Sequence, residues 1–523
     1  MSELRAHQKA MLNVVSEIRH YTDVDTIIAS VTAGGGKSSL PVIMAAQLIP
    51  HDIDRICWVV PRTALAYQAE DAFTDPVFRE ALDHKHLLRT TTSADDPCRG
   101  LTGFATTYQA LRTLAPQLIE EFSRHRYGIV LDEFQFCSED GSFTQSVAAL
   151  VKLAQIRLFM SGTIERGRKN EKIAFMDYEE TLKSFRLNLE DTETQRVITY
   201  SRSQALGEKA LIPLDVTYID ASAEWERNGI EGKVSVDSLR DLKIPEAKTA
   251  LFTALNTEYA NELLDQCVDS WRKTRKINPR AKLLVVAGSQ KLARNYCKRL
   301  RSMAISTSLA IVSEGSGAMR AIRAFKRTDG EASAALVTVG QAYIGLDVKP
   351  ITHIACLTRI RSKPWLEQMI ARAMRYDHDA GPWEGQKAHV FVPDDPMMHG
   401  VLSVIEAECK GLTINKAKPK EKADETARED LFERDLFGEL IPIGSKAAGS
   451  WSRPMAAKII TPSDREKALR DEIEERVRYY AGRNGVQVKD VNSHIKKAFG
   501  KSRTIMRLDE LSKVREWALV NLV

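Results

Sequence analysis

The sequence predicts an α/β fold: two tandem parallel-sheet units flanked by helices, followed by a small helical module. Three observations predict it. Short β-rich apolar runs alternate with helical stretches through the first two hundred residues, and the alternation returns after residue 280. Most of the runs lack a strict period of two, which suits strands buried on both faces of a parallel sheet. Two distant stretches, residues 32–38 and 368–375, read as two halves of one phosphate pocket.

In the first unit the strand candidates are residues 26–32, 55–60, 103–107, 128–134 and 157–162. Helical stretches between them make right-handed crossovers the expected connection. In the second unit the candidates are 282–288, 306–313, 334–340, 353–359 and 387–393, led by helices over 247–276. The expected divisions are 1–200 for the first unit, 201–245 for a connector and 246–395 for the second unit. Residues 396–460 read as a linker or extension, because Lys416, Lys418, Lys420 and Lys422 open a charged run. Residues 461–523 read as a helical module. Ser463 and Glu466 have capping-box spacing, Gly482 or Gly485 stops that helix, and two shorter helices follow over 491–499 and 508–520.

A chain of 523 residues exceeds a single core. With 43% hydrophobic and 28% charged residues it has ordinary globular composition. Its net charge of +5 is a mild basic excess, compatible with nucleic acid but common elsewhere. None of the 7 cysteines forms a C-x-x-C pair, which argues against a zinc ribbon. Cys57 and Cys356 sit in apolar runs and read as buried free thiols. His7, His353 and His389 read as local structural residues rather than metal ligands. No signal-peptide core follows Met1, and no apolar run approaches the ~20 residues of a membrane span. The expected compartment is the cytoplasm, with no membrane partner.

Residues Thr32-Ala33-Gly34-Gly35-Gly36-Lys37-Ser38 follow an apolar run and precede a helical one. Glycines let backbone N–H groups turn toward phosphate oxygens, and the helix N-terminus adds a favourable dipole. Lys37 would contact the β- and γ-phosphates, and the Ser38 hydroxyl would ligate Mg²⁺. The strict loop pattern fails at Val31, where a glycine is expected.

The run Gly128-Ile129-Val130-Leu131 ends in Asp132, Glu133, Phe134 and Gln135. A buried strand of this kind delivers carboxylates to the ligand edge of an α/β sheet. Asp132 can hold Mg²⁺ through water, and Glu133 can accept a proton from an attacking water. Arg372 and Arg375 are three apart, which on a helix presents both from one face. There they would meet the charge that phosphoryl transfer builds on the γ-phosphate.

The ordered set resembles the superfamily 2 helicases and translocases of the DEAD/DEAH type, over about residues 1–395. Leu4-Arg5-Ala6-His7-Gln8 resembles the adenine-reading element, and residues 32–38 resemble motif I. Val60-Pro61-Arg62-Thr63 and Thr106-Thr107-Tyr108-Gln109 resemble strand-binding elements. Asp132-Glu133-Phe134-Gln135 resembles motif II with Gln in its last place, and Ser161-Gly162-Thr163 resembles motif III. Val337-Thr338 with Gly345-Leu346-Asp347 resembles motif V, and residues 368–375 resemble motif VI. Leu4-Arg5-Ala6-His7-Gln8 and the approach from Thr358 to Gln368 look most like bacterial or phage DNA-directed members, including Rad25-type helicases and type III restriction motors. Two departures are Ala371 for the usual glycine and Ala33 for the usual threonine.

The resemblance implies two RecA-like domains with ATP between them. It assigns chemistry to Lys37, Glu133, Arg372 and Arg375. ATP and Mg²⁺ would be held by Gln8, Thr32, Gly34, Gly35, Gly36, Lys37, Ser38, Ser39, Asp132, Gly345 and Asp347, with Ser38 and Asp132 at the metal. Gln135, Ser161, Thr163 and Gln368 would couple nucleotide state to the nucleic-acid face. Arg62, Thr107 and Thr338 would touch phosphates of the strand. The expected partner is nucleic acid, DNA in preference. An RNA motor and an ATP-gated loading protein that separates no strands remain as rivals. Arg483, Lys489, Lys496, Lys497, Lys501 and Arg503 give the C-terminal module a basic bias that suits DNA; docking of a protein partner is an equal reading.

Overall fold

The computed structural model describes residues 4–20, 23–91, 93, 95–162, 164, 172–181, 184–227, 230–314, 316–339, 348–411, 440–455 and 462–522. They form two compact units, residues 1–456 and 457–523. The first unit carries both large sheets.

Its first lobe opens with α1 (Ala6–His20), β1 (Thr26–Val31), α2 (Ser39–Leu48) and β2 (Arg55–Val60). Next come α3 (Thr63–Thr74), α4 (Pro76–Ala81), β3 (Leu88–Thr90), β4 (Gly103–Thr107), α5 (Tyr108–Arg124) and β5 (Tyr127–Asp132). Then follow α6 (Ser142–Leu153), β6 (Ile156–Ser161), a hairpin of β7 (Tyr178–Thr181) and β8 (Ser184–Leu187), and β9 (Gln195–Tyr200). The sheet order is β3-β4-β2-β5-β6-β1-β9, and every neighbouring pair is parallel. All C-terminal strand ends therefore meet at one edge. That edge collects Thr32, Arg62, Thr107, Glu133 and Gly162.

β5 is buried along its whole length, which explains its unbroken apolar run. α5 buries Leu111, Leu114, Leu118 and Phe122, a stripe at helical spacing. These side chains share a core with Ile129, Leu131, Phe134 and Phe159. Burying each such side chain contributes roughly 1.5–3 kcal/mol.

The second lobe begins with α7 (Arg202–Gly207), β10 (Leu214–Arg227), β11 (Ile230–Val236), α8 (Ile244–Asn256), α9 (Glu258–Ile277) and β12 (Lys282–Ala287). It continues with α10 (Gln290–Ser302), β13 (Thr307–Ala310), α11 (Ser316–Lys326), β14 (Ala335–Val339), β15 (Ile351–Leu357) and α12 (Lys363–Ile370). β16 (Ala388–Pro393), α13 (Pro396–Cys409) and β17 (Leu440–Met455) complete it. The order is β11-β10-β16-β15-β12-β14-β13, with β17 also on β10. The five strands from β16 to β13 run parallel. β11 and β17 are antiparallel additions to β10. The two sheets with their flanking helices are tandem RecA-like domains.

The structure corrects two of the expected divisions. The stretch 201–245 is not a bare connector, because β10 and β11 are strands of the second sheet. The stretch 396–460 is not only a linker, because α13 and β17 fall within it. β17 pairs with β10 from Leu440 to Met455. Its Pro442 and Pro454 are tolerated because an outer strand leaves one side unpaired. The charged run 416–422 lies outside the described residues.

The second unit is a three-helix module of Pro462–Asn484, Val488–Phe499 and Leu508–Asn521. Its own core joins Ile473, Val477, Val491, Ile495, Leu511, Val514 and Ala518. Gly485 and Gly500 lie at φ +65° and +70°, the left-handed position that ends a helix. The side chain of Ser463 lies outside the described residues. Arg503 is not a surface cation: it pairs with Glu474 and binds Asn492, tying the first two helices together.

Candidate active site

The glycine loop is built by three backbone devices. Val31 is the last residue of β1, paired with Tyr200, so the strand occupies the position where the strict loop pattern wants a glycine. Thr32 N–H then donates to the Tyr200 carbonyl at 2.9 Å, and Gly35 N–H to the Thr32 carbonyl at 2.8 Å. Gly34 and Gly36 take φ of +81° and +95°, which a side chain disfavours. Helix α2 follows, and Ser38 at its N-cap makes no side-chain capping hydrogen bond. The positive dipole end of α2 thus adjoins the loop, and the Ser39 and Leu40 N–H groups donate to the Gly36 and Lys37 carbonyls.

β5 delivers the two carboxylates beside this loop. Lys37 Nζ lies 2.9 Å from Asp132 Oδ1 and contacts Glu133. Glu133 itself sits at φ +51°, an uncommon conformation for a non-glycine residue. Gln135 Nε2 donates to the other Glu133 oxygen at 2.7 Å. Tyr108 Oη donates to the Asp132 carbonyl at 3.1 Å, anchoring the strand end from below.

Burial opposes every charge here. For Lys37 the attraction of Asp132 and Glu133 outweighs burial and raises its pKa. Burial pushes Asp132 up, with Glu133 adding to it against Lys37. At Glu133 burial loses to Lys37, to the Gln135 hydrogen bond and to Arg372, so its carboxyl is held low. Glu133 is therefore ionised, and the charge of Arg372 reaches it from the second lobe.

The arginine pair departs from expectation. α12 ends at Ile370, so Arg372 and Arg375 stand in the turn beyond it, not on one helical face. Arg372 N–H reaches the Met369 carbonyl and Ala373 N–H the Ile370 carbonyl. These three-residue closures tighten the chain past the helix. Arg375 then forms a bridge with Leu211, and Ile212 N–H donates to the Met374 carbonyl at 2.8 Å. Burial lowers the Arg375 pKa to about 10, so it stays protonated at neutral pH. This turn meets the glycine loop: a Cβ at Gly34 would lie 3.0 Å from Leu211 Cδ2 and 3.4 Å from the Ala371 carbonyl oxygen. The two half-pockets are neighbours in space.

Gln8 is buried beside the loop. Its Oε1 accepts from Arg5 N–H at 2.9 Å, and its Nε2 donates to Ser39 Oγ at 3.1 Å. One N–H and one lone pair remain for a base edge. The Ser39 hydroxyl donates to the Gly36 carbonyl, so it braces the loop. Ser161 is buried at the end of β6 in register with Ser30. Gln368 is buried on α12. Arg62 and Thr107 both occupy N-caps at the strand-end edge, and the Thr107 hydroxyl accepts from Ala110 N–H.

Thr338 does not face outward: it is fully buried in β14 and its hydroxyl donates to the Val339 carbonyl. The expected strand contact through Thr338 is thus not offered here. Thr163, Gly345 and Asp347 lie outside the described residues.

Two further contributors were given no role of their own by the sequence. Arg5 donates to the Gly35 carbonyl at 2.8 Å, and a Cβ at Gly36 would come within 2.8 Å of its guanidinium. Arg202, in α7, is 4% exposed. It lies 3.8 Å from Glu367, 3.7 Å from Glu408 and 3.6 Å from Met374 Sδ. It grips both sides of the arginine turn, yet its partners lie far off in the chain.

A left-handed glycine loop at a helix N-terminus, an ammonium, a hydroxyl and two carboxylates fit a nucleotide with its magnesium ion. Ser38 and Asp132 are the residues that would hold the metal. Among the described residues no cluster of three His, Cys, Asp or Glu is placed to bind another ion.

Residues 1–166 match the family described as "Type III restriction enzyme, res subunit". An uncharacterized protein of Mycobacterium leprae (strain TN) is 23% identical over 384 residues, covering 73% of this chain and 61% of that protein. One of Mycobacterium tuberculosis (strain CDC 1551 / Oshkosh) is 22% identical over 396 residues, with 73% and 60% covered. The chain thus spans about three-fifths of these relatives' length. Among solved structures, the ATP-dependent Type ISP restriction-modification enzyme LlaBIII bound to DNA aligns with TM-score 0.48 and 13% identity, covering 95% of this chain and 36% of that one. Mycobacterium smegmatis helicase Lhr bound to ssDNA and AMP-PNP aligns at 0.48 and 14%, covering 78% and 48%. The family match covers the glycine loop and the Asp132-Glu133 pair, so over residues 1–166 the chain is similar to that family, and a second, largely parallel sheet follows in the chain.

Proposed function

We propose that the chain is an ATP-driven nucleic-acid helicase or translocase acting on DNA. One observation carries the reading: the loop that holds Lys37 and the turn that holds Arg372 and Arg375 belong to different lobes, yet Gly34 packs against Ala371. A site assembled from two lobes can couple hydrolysis to their movement.

In this reading the loop N–H groups and Lys37 bind the β- and γ-phosphates. Ser38 and Asp132 would hold a magnesium ion, which would supply positive charge to the phosphate oxygens. Glu133 takes the proton of the attacking water while the bond from the γ-phosphorus to its bridging oxygen breaks. Its lowered pKa keeps this carboxylate ionised at neutral pH. Arg372 and Arg375 neutralise the charge that accumulates on the γ-phosphoryl group. The choice of DNA is supported by the resemblance to restriction motors. The cytoplasm is the proposed compartment.

The test is steady-state ATPase with no nucleic acid, single-stranded DNA, duplex DNA, forked DNA and RNA. Stimulation by DNA is expected; turnover indifferent to all four overturns the motor reading. Arg375→Ala should abolish hydrolysis while ATP still binds, and lost binding in a folded variant counts against its role at the γ-phosphate.

A further inference from the structure

Charge is distributed unevenly along the chain. Residues 272–327 hold 15 Lys and Arg against one acid, Glu314. That segment carries +14 in a chain whose total is +5, so everything outside it sums to −9. α10 has no acid at all, and Lys291, Arg294, Lys298 and Arg301 are all exposed. Their spacing of three, four and three residues draws one stripe along the helix, roughly 15 Å long. The opposite face, Ala293, Tyr296, Cys297 and Leu300, is buried in the lobe core.

The stripe continues onto α9. Both helices pack on the same core, which includes Cys267, Val268 and Trp271 from α9. Arg272 donates to the Met303 carbonyl just past α10 at 3.0 Å, and Arg299 pairs with Asp265. The exposed Lys273, Arg275 and Lys276 therefore extend the cationic surface.

A solvated face tuned to helix dipoles is the plain alternative. It accounts for α9, where Glu258, Glu262, Asp265 and Asp269 precede the cations. It does not account for α10, whose first turns carry Lys291 and Arg294 against the dipole. Asn295 and Ser302, rather than large apolar anchors, lie among the α10 cations, unlike a helix made for a lipid surface.

We infer that the outer faces of α10 and the last turns of α9 form a second nucleic-acid contact, which grips the phosphodiester backbone along the flank of the lobe, starting where α10 leaves the C-terminal end of β12. The identity of the partner rests on the motor reading; the surface itself does not. Phosphate contacts of this kind give grip and register without sequence reading.

The test uses the full chain with four exposed lysines neutralised: Lys273→Gln, Lys276→Gln, Lys291→Gln and Lys298→Gln together. A control neutralises Lys85, Lys152, Lys248 and Lys446, also exposed, for the same loss of charge. Binding of labelled duplex DNA, duplex RNA and single-stranded DNA is followed by anisotropy from ~50 to ~300 mM salt without nucleotide. Each lost phosphate contact should flatten the log–log salt slope by about 0.9 on a duplex. A slope shallower by about 2 to 4 is expected, with at least tenfold weaker binding, against a smaller change in the control. The ratio of duplex to single-strand effects identifies which nucleic acid the surface takes. ATPase without nucleic acid should stay unchanged. Equal slopes in variant and control, or wild-type binding to anionic vesicles but not to nucleic acid, overturn the proposal. A chain that binds duplex with the expected slope change but hydrolyses no ATP sinks the motor reading alone.

Discussion

The ammonium nitrogen of Lys37 stands 2.9 Å from a carboxylate oxygen of Asp132 and touches Glu133 as well. One cation thus answers two adjacent carboxylates whose charges burial opposes. The pair divides: Asp132 is pushed up and Glu133 held down. Groups whose surroundings drive their pKa values apart are suited to different tasks; in the proposed mechanism these are metal holding and proton removal.

Glu133→Gln removes the base while keeping size and the partner Gln135. Single-turnover hydrolysis should fall by about 10²–10⁴, the usual contribution of general base catalysis. Nucleotide affinity, measured by fluorescent-analogue titration, should change by less than about threefold. Undiminished hydrolysis would remove Glu133 from the chemistry.

Gly34→Ala tests the seam between the lobes. The left-handed φ of +81° costs an alanine about 1–2 kcal/mol. The new methyl also meets Leu211 Cδ2 at 3.0 Å. The variant should melt lower and hydrolyse ATP more slowly. Leu211→Ala in the same chain should restore part of the loss by making room for the methyl. If the double variant is no better than Gly34→Ala alone, the contact across the seam is not what limits this position.

The parts legible in the sequence were those with local causes. The buried parallel strands announced themselves as apolar runs, and β2 and β4 fall at the expected residues 55–60 and 103–107. The Asp132-Glu133 pair was legible because a strand end fixes where a carboxylate goes. β10 and β17 were not legible: β17 is a polar strand broken by Gly and Pro, and the two pair across more than two hundred residues of chain. The ending of α12 was equally hidden. Residues 368–375 have helical composition, and it is the pairing of Arg375 with Leu211 that pulls the chain out of the helix. Arg202 was silent for the same reason, since a single arginine in a polar stretch says nothing about distant glutamates.

His353 predicts acid sensitivity. It is fully buried, bonded to Ser270 at Nε2 and Thr352 at Nδ1, and stacked on His389. Burial, with His389 adding to it, pushes its pKa down to about 2. His389 is also lowered by burial, against the pull of Asp215. A histidine depressed in the folded state gives stability that is present above its ordinary value near 6.5 and lost as pH falls below it. The loss is about 1.4 kcal/mol for each pH unit below that value. His353→Asn should therefore narrow the gap between melting temperatures at pH 7.5 and pH 5.5. An unchanged gap would mean that His353 does not set the acid limit.

Arg202 and Glu367 give a prediction of opposite sign. Burial raises the Glu367 pKa to about 7, with Arg202 and Lys363 pulling it down and Glu408 pushing it up. A carboxyl raised in the folded state gives stability that is complete below its ordinary value and lost as pH climbs through 7. Glu367→Gln escapes that loss, so its melting temperature relative to wild type should rise from pH 5 to pH 8. Arg202→Met removes the cation that favours the ionised form, so its deficit should grow over the same interval. Breaking a buried pair by one partner costs roughly 3–5 kcal/mol at most, and protonation of Glu367 should spare part of it at low pH. Arg202 also touches Met374, beside Arg375, so Arg202→Met should lower ATP turnover more than ATP affinity at pH 6, where the fold suffers less than at pH 8. Parallel melting curves for both variants at every pH would dissolve the link between this ion cluster and the arginine turn.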